Sequence, residues 1–214
     1  YSASGDRGVG TEIACAEFNR GHLSALRVIF RAAPKSGGGV HFGSRLLFGP
    51  DGYLYATLGE RGVRPQAQNL GTHPGSVVRI TDKGLVPPDN PFVGRKNAQP
   101  EIFAYGNRNP QGMALELSGN KIWMHEHGPR GGDELNIVQS GANYGWPVIS
   151  FGKEYWGPVP VGEGTHKPGM RQPVYYWVPS IAPSGMTFYS GDRIPEWRGN
   201  LFIGSLKFEL LVRL

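Results

Sequence analysis

Three stretches of this chain repeat one design, and the repeat limits the folds open to it. The first is Arg45-Leu46-Leu47-Phe48, a Pro50-Asp51-Gly52 turn, and the run Tyr53 to Gly59. The second is Gly112 to Leu115, a Ser118-Gly119-Asn120 turn, and Lys121 to Met124. The third is Gly185 to Tyr189, a longer turn through Pro195 and Gly199-Asn200, and Leu201 to Gly204. Each reads as a strand, a Gly/Asn/Asp turn and a second strand rich in aromatic or apolar residues. Such repetition predicts an all-β chain arranged as a propeller or a related radial array. A plain β-sandwich with decorated loops is the alternative. The 33 glycines and 18 prolines are spread along the whole chain, which suits short strands and tight turns and argues against a helical bundle.

The spacing between units exceeds a usual blade. The excess falls in Asp82 to Pro100 and Phe151 to Arg171, loops of a size expected to carry function. The units add up to about four blades, and Phe208 to Leu214 reads as a strand with no turn after it. The expectation is therefore that residues 1–214 form one partial β-propeller, truncated at both ends.

The net charge of +5 comes from scattered Lys and Arg with no basic cluster, so nucleic acid is not the expected partner; solubility or a small anionic ligand is. No run is long and apolar enough for a membrane span. Cys15 is the single cysteine, which excludes an internal disulfide; it reads as a half-buried strand residue.

The densest chemistry lies in His125-Glu126-His127-Gly128-Pro129-Arg130-Gly131-Gly132-Asp133-Glu134, followed by Tyr144-Gly145-Trp146-Pro147. Strand alternation over 121–127 places Ile122, Met124 and Glu126 on one face and Trp123, His125 and His127 on the other. Gly128-Pro129 stops that strand and turns its carbonyls outward, where a hard cation can take them. Asp133 and Glu134, with carbonyls of Gly128, Pro129 and Tyr144, suit calcium; they also fit helix-capping or solvated acids. A transition metal on His41, His125, His127 and Asp133 is the weaker rival, since His-x-His spacing alone says little. His41 lies between Gly37-Gly38-Gly39 and Gly43, where the backbone can approach a ligand and an imidazole can take a proton. Arg108, in Gly106-Asn107-Arg108-Asn109-Pro110-Gln111-Gly112, offers a rigid donor fork for carboxylate or quinone oxygens. The absence of G-x-G-x-x-G and of G-x-S-x-G argues against a nicotinamide site and an α/β-hydrolase.

His41-Phe42-Gly43, Tyr105 to Gly112, Glu126-His127-Gly128-Pro129, Asp133-Glu134 and Asn143 to Pro147, taken in this order, resemble the soluble quinoprotein-type aldose sugar dehydrogenases of the glucose/sorbosone dehydrogenase family. The resemblance implies a six-bladed propeller with pyrroloquinoline quinone (PQQ) across one mouth and calcium bridging cofactor and protein. It makes His41 the base that takes the proton of the sugar C1 hydroxyl while hydride passes to the quinone, giving a lactone. Arg108, as a catalytic residue, would stabilise negative charge on the quinone oxygens, and Arg108 and Asn109 would contact PQQ. Tyr155 and Leu206-Lys207-Phe208 match further cofactor contacts. Gly128 and Pro129 match the carbonyls of the cofactor calcium, and Glu134 and Tyr144 a second, structural calcium. His127, assigned to the cofactor site, stands where some glucose dehydrogenases carry glutamine, which points to the broad-specificity aldose enzymes. A cofactor-contacting glutamine and later arginines of the family fall outside this stretch. The resemblance also implies export to the periplasm or outside the cell, an electron acceptor of unstated identity, and room for a homodimer. The competing class is a non-catalytic propeller that binds sugars or a protein partner.

Overall fold

The computed structural model describes residues 1–117, 119 and 121–214. Among these, the fold is four antiparallel sheets met in chain order. The first holds β1 (Ser2–Gly5), β2 (Gly8–Asn19) and β3 (His22–Arg31); the second holds β4 (Leu46–Phe48), β5 (Leu54–Thr57), β6 (Ser76–Ile80) and β7 (Ile102–Tyr105). The third holds β8 (Pro110–Leu115), β9 (Ile122–Glu126), β10 (Asp133–Ile137) and β11 (Tyr175–Trp177); the fourth holds β12 (Pro183–Phe188), β13 (Leu201–Ser205) and β14 (Leu210–Arg213). In every sheet the strand order follows the sequence, so each is a meander, some of its connections being tight turns and others, such as those between β5 and β6, β6 and β7, and β10 and β11, long loops. Two short 3-10 turns, Arg64–Gln68 and Pro195–Trp197, are the helical segments of the described residues.

The repeated units are the pairs β4–β5, β8–β9 and β12–β13. In the first, Gly52 adopts φ 79° and Asp51 Oδ1 accepts the Tyr53 N–H, an Asx-type turn that fixes the Phe48–Leu54 register. The second unit's turn falls on Ser118 and Asn120, which lie outside the described residues.

Neighbouring sheets pack face to face. Ile13, Phe30 and Ala32 of the first sheet region meet Leu54, Ala56, Val78 and Ile80 of the second. Tyr55, Val77 and Ala104 of the second meet Met113, Ile122 and Met124 of the third. Ala114, Leu135 and Trp177 of the third meet Met186, Leu201 and Ile203 of the fourth. The alternation expected for β9 holds: Ile122 and Met124 face the second sheet, while Trp123 packs with the fourth. Strand β6 has all five residues buried, as expected for a strand covered on both faces. Truncating fully buried Met124 or Ile203 to alanine should cost roughly 2–5 kcal/mol each.

The two long loops diverge in role. Asp82 to Pro100 is a packed structural loop rather than the functional loop expected. Buried Arg79 bonds Asp89 and Asn90 in it and Asp51 in the β4–β5 turn, while Asn90 Nδ2 returns to the carbonyls of Arg79 and Pro100. Phe151 to Arg171 instead reaches the site.

Candidate active site

The site forms where the chain enters the third sheet. Arg108, just before β8, directs Nη1 to the carbonyls of His127 (3.1 Å) and Gly128 (2.7 Å), and Nη2 to the Tyr155 hydroxyl (3.3 Å). Its guanidinium lies 5.3 Å from the Trp146 ring centroid. Arg64 is equally far from that ring and holds Glu154 through two bonds of 2.6 and 2.8 Å. Tyr155 is thus set by a bidentate pair one residue before it and by Arg108.

His41 has φ 55°, and its Nδ1 is 2.6 Å from Glu60 Oε1. A carboxylate only accepts, so the bond places the proton on Nδ1 and leaves Nε2 as the acceptor. Glu60 is fully buried, and its N–H donates to the Arg108 carbonyl at 2.9 Å. One residue therefore joins the two groups that sequence motifs singled out. Asn109 adds a second tie: its Oδ1 accepts the Gly43 N–H at 2.9 Å. That oxygen is committed to the His41 loop, a structural duty beyond the cofactor contact expected of Asn109.

Asp133 departs from the expectation of a calcium or zinc ligand. It is fully buried and accepts from the N–H groups of Gly128 (2.9 Å), Ile181 (2.8 Å) and Ala182 (2.8 Å) and from the Ser180 hydroxyl (2.5 Å). Its oxygens are engaged by four donors, and it pins the Gly128–Gly132 turn to the 180–182 segment that leads into β12. Strand alternation sends the next side chain, Glu134, to the opposite face. There it lies across from Glu126, its register partner. The two acids, Tyr144, Trp146 and Ser150 line a cavity of about 10 Å³, the volume of a single water or ion.

Burial raises both acids above the ordinary carboxylate range, and Glu126 raises Glu134 further. Glu126 accepts from Asn107 Nδ2 (2.7 Å) and from the backbone N–H groups of Arg108 and Asn109. Glu134 has Asn136 Nδ2 alone, at 3.2 Å. Of the two, Glu126 has more donors and is the better-stabilised anion, so a proton shared by the pair favours Glu134.

The four residues of the transition-metal alternative do not converge. His41 is on Glu60, His127 Nε2 is 2.7 Å from the Pro183 carbonyl, and Asp133 is bonded as above. His125 is fully buried against Gly112, where burial lowers its pKa to about 4. Among the described residues no three His, Cys, Asp or Glu side chains gather as metal ligands. Lys207, Arg130 and Lys153 line an open cleft of about 500 Å³ together with Tyr155 and Pro129. Leu206 and Phe208 beside it are exposed.

Residues 1–214 match the description of the glucose / sorbosone dehydrogenases over their whole length. The chain belongs to that family. It is 47% identical to aldose sugar dehydrogenase YliI of Escherichia coli (strain K12) over 211 residues, 97% of this chain and 57% of that protein. It superposes on a crystal structure of a glucose dehydrogenase with a TM-score of 0.97 at 47% identity, covering 100% of this chain and 63% of the other. The PQQ-bound aldose sugar dehydrogenase of Streptomyces coelicolor follows with a TM-score of 0.73 at 28% identity, covering 100% of this chain and 57% of that one. The chain thus spans less than two thirds of the length of these relatives.

Two residues near the motifs escaped the sequence reading. Glu60 and Arg61 sit between Gly59 and Gly62, directly after β5. A charged pair flanked by glycines at a strand end was the available signal.

Proposed function

We propose that this chain is the cofactor-bearing part of a PQQ-dependent aldose dehydrogenase built on a six-bladed propeller. The observation that carries the reading is one buried residue, Glu60, bonded to His41 through its side chain and to Arg108 through its backbone.

The residues fit the cofactor. An open cleft lined by Tyr155, Pro129 and the cations Lys207, Arg130 and Lys153 suits a planar tricarboxylate. Lys207 would meet a carboxylate, and Arg108, Asn109, His127, Tyr155, Leu206 and Phe208 would surround the ring system. The bound quinone would supply a two-electron acceptor for the hydrogen leaving C1. His41 Nε2, freed by the Nδ1–Glu60 bond, takes the C1 hydroxyl proton. Arg108 holds its guanidinium at the developing charge; its carbonyl and Tyr155 contacts fix the fork in place. Loss of two electrons and two protons from the aldose gives the lactone.

Calcium belongs to the same reading. Glu126 and Glu134 face an ion-sized polar cavity with Tyr144, which suits a hard cation in place of the Glu134 proton. The carbonyls of Gly128 and Pro129 would hold the cofactor calcium, with the Gly128 oxygen shared with Arg108. Export to the periplasm or outside the cell, and pairing into a homodimer, rest on the family resemblance alone.

The test is reconstitution of the full-length protein with PQQ and calcium, followed by dye reduction with several aldoses. Turnover and heat in a PQQ titration are expected. Heat without turnover would favour a recognition module, and neither would remove the quinoprotein reading.

A further inference from the structure

The loop that carries His41 has little structure of its own. From Gly37 to Phe42 it forms no strand, it is rich in glycine, and His41 itself sits in the left-handed region. Something outside the loop must hold the imidazole in register with Glu60.

Three consecutive residues after β5 meet this loop. Gly59 lets the His41 carbonyl approach so closely that a Cβ at position 59 would lie 2.0 Å from it. Glu60 takes His41 Nδ1. Arg61 is 2% exposed, and its guanidinium donates through Nη1 to the Val40 carbonyl and through Nη2 to the Gly38 carbonyl. The same plane lies over the Phe42 ring, 3.0 Å from its centroid. The Arg61 carbonyl in turn sits against Gly38, where a Cβ would lie 2.0 Å away. Arg61 therefore touches the loop on both sides of His41.

The backbone explains the reach. Arg61 and Gly62 both have positive φ, 64° and 78°, and the Val63 N–H donates to the Glu60 carbonyl at 3.1 Å. That is a type I′ turn with Arg61 at its first central position. A non-glycine residue rarely occupies that position without a reason, and the side chain's three contacts supply one.

We infer that Arg61 is a positioning residue, a clamp that fixes the His41 loop so that the imidazole stays on Glu60 and faces the reacting hydroxyl. This inference rests on the assignment of His41 as base. Lysine would not replace it, since a point charge cannot bridge two carbonyls and stack on an aromatic ring together.

The experiment compares Arg61→Met and Arg61→Lys with the parent full-length protein. Aldose turnover should fall roughly 10- to 100-fold in kcat for Arg61→Met with KM within about twofold, because a misplaced base harms the chemical step and not sugar binding. Arg61→Lys should lie between that variant and the parent. Hydrogen exchange is read in parallel at Ser36, Gly43 and Gly59, whose bonded amides bracket or face the loop. Exchange there should quicken about tenfold or more while amides of β6 keep their protection, the mark of a local opening.

Unchanged exchange at these amides overturns the clamp. Faster exchange with unchanged kcat also overturns it, since the loop would then not need fixing. Should Arg61→Met not fold, Arg61→Lys carries the same two readouts. A parent protein that oxidises no aldose would count against the assigned function, while the exchange comparison would still decide whether Arg61 holds the loop.

Discussion

The two walls of the site are built in opposite ways. The His41 wall is an irregular loop held by side chains from elsewhere: Glu60 on the imidazole, Arg61 on two carbonyls, Asn109 on the Gly43 amide. The Gly128 wall is a compact turn between two paired strands, β9 and β10, with Asp133 gathering the Gly128 amide and three donors of the segment just before β12. The first wall places an imidazole, the proposed proton acceptor; the second presents carbonyls to a guanidinium. A proton acceptor must be set in orientation and tautomer, which side-chain pins do well. A carbonyl array follows from backbone geometry, which a short glycine turn supplies.

Substitutions on each wall should therefore fail differently. The largest effect is expected at His41→Ala, which should lower kcat by about 10³-fold while PQQ affinity by calorimetry stays within about threefold. Normal turnover by that variant would remove the base from the first wall.

On the second wall, Asp133→Ala strands four donors in the interior and should lower unfolding free energy by roughly 3–5 kcal/mol. Denaturant titration measures this; a loss below about 1 kcal/mol would mean the turn holds without its pin.

Glu60→Ala should come next, with a fall of about 10²-fold in kcat and little change in stability. Glu60→Gln keeps an acceptor for the Nδ1 hydrogen and should lose less, and equal losses would show that charge, not tautomer, is what Glu60 contributes.

The smallest effect separates the walls by acidity. His125, behind the second wall, is held neutral by burial with its pKa near 4. The unfolded chain binds that proton near pH 6.5, so the stability His125 contributes is full above this value and is lost as pH falls towards 4. The His125 contribution should fall by about 2 kcal/mol at pH 5, and His125→Phe should lack that part of the pH dependence. Buried Glu126 and Glu134, with raised pKa values, change stability in the opposite sense, so the reading is the difference between parent and His125→Phe; a difference that stays flat over this range would contradict the assignment.

The contrast also explains what could be read from residue order. The turn at Pro50-Asp51-Gly52 and its flanking strands were legible because every determinant is local. The face alternation of β9 was legible for the same reason. The role of Asp133 was not: its identity suggested a metal ligand, yet three of its partners lie 47 to 49 residues away. Glu60 and Arg61 stayed hidden because their contacts cross 19 to 23 residues through a loop without periodicity. Arg79 misled in the same way. Nothing in Asp82 to Pro100 announces that a strand guanidinium organises it, so its length alone suggested function.

Trp146 deserves a use in the laboratory. It is 5% exposed, its ring flanked at 5.3 Å by the guanidiniums of Arg64 and Arg108. Cations that close perturb an indole's excited state, so any molecule drawing Arg108 aside would alter its emission. The chain carries its own optical reporter of occupancy, with no label to attach.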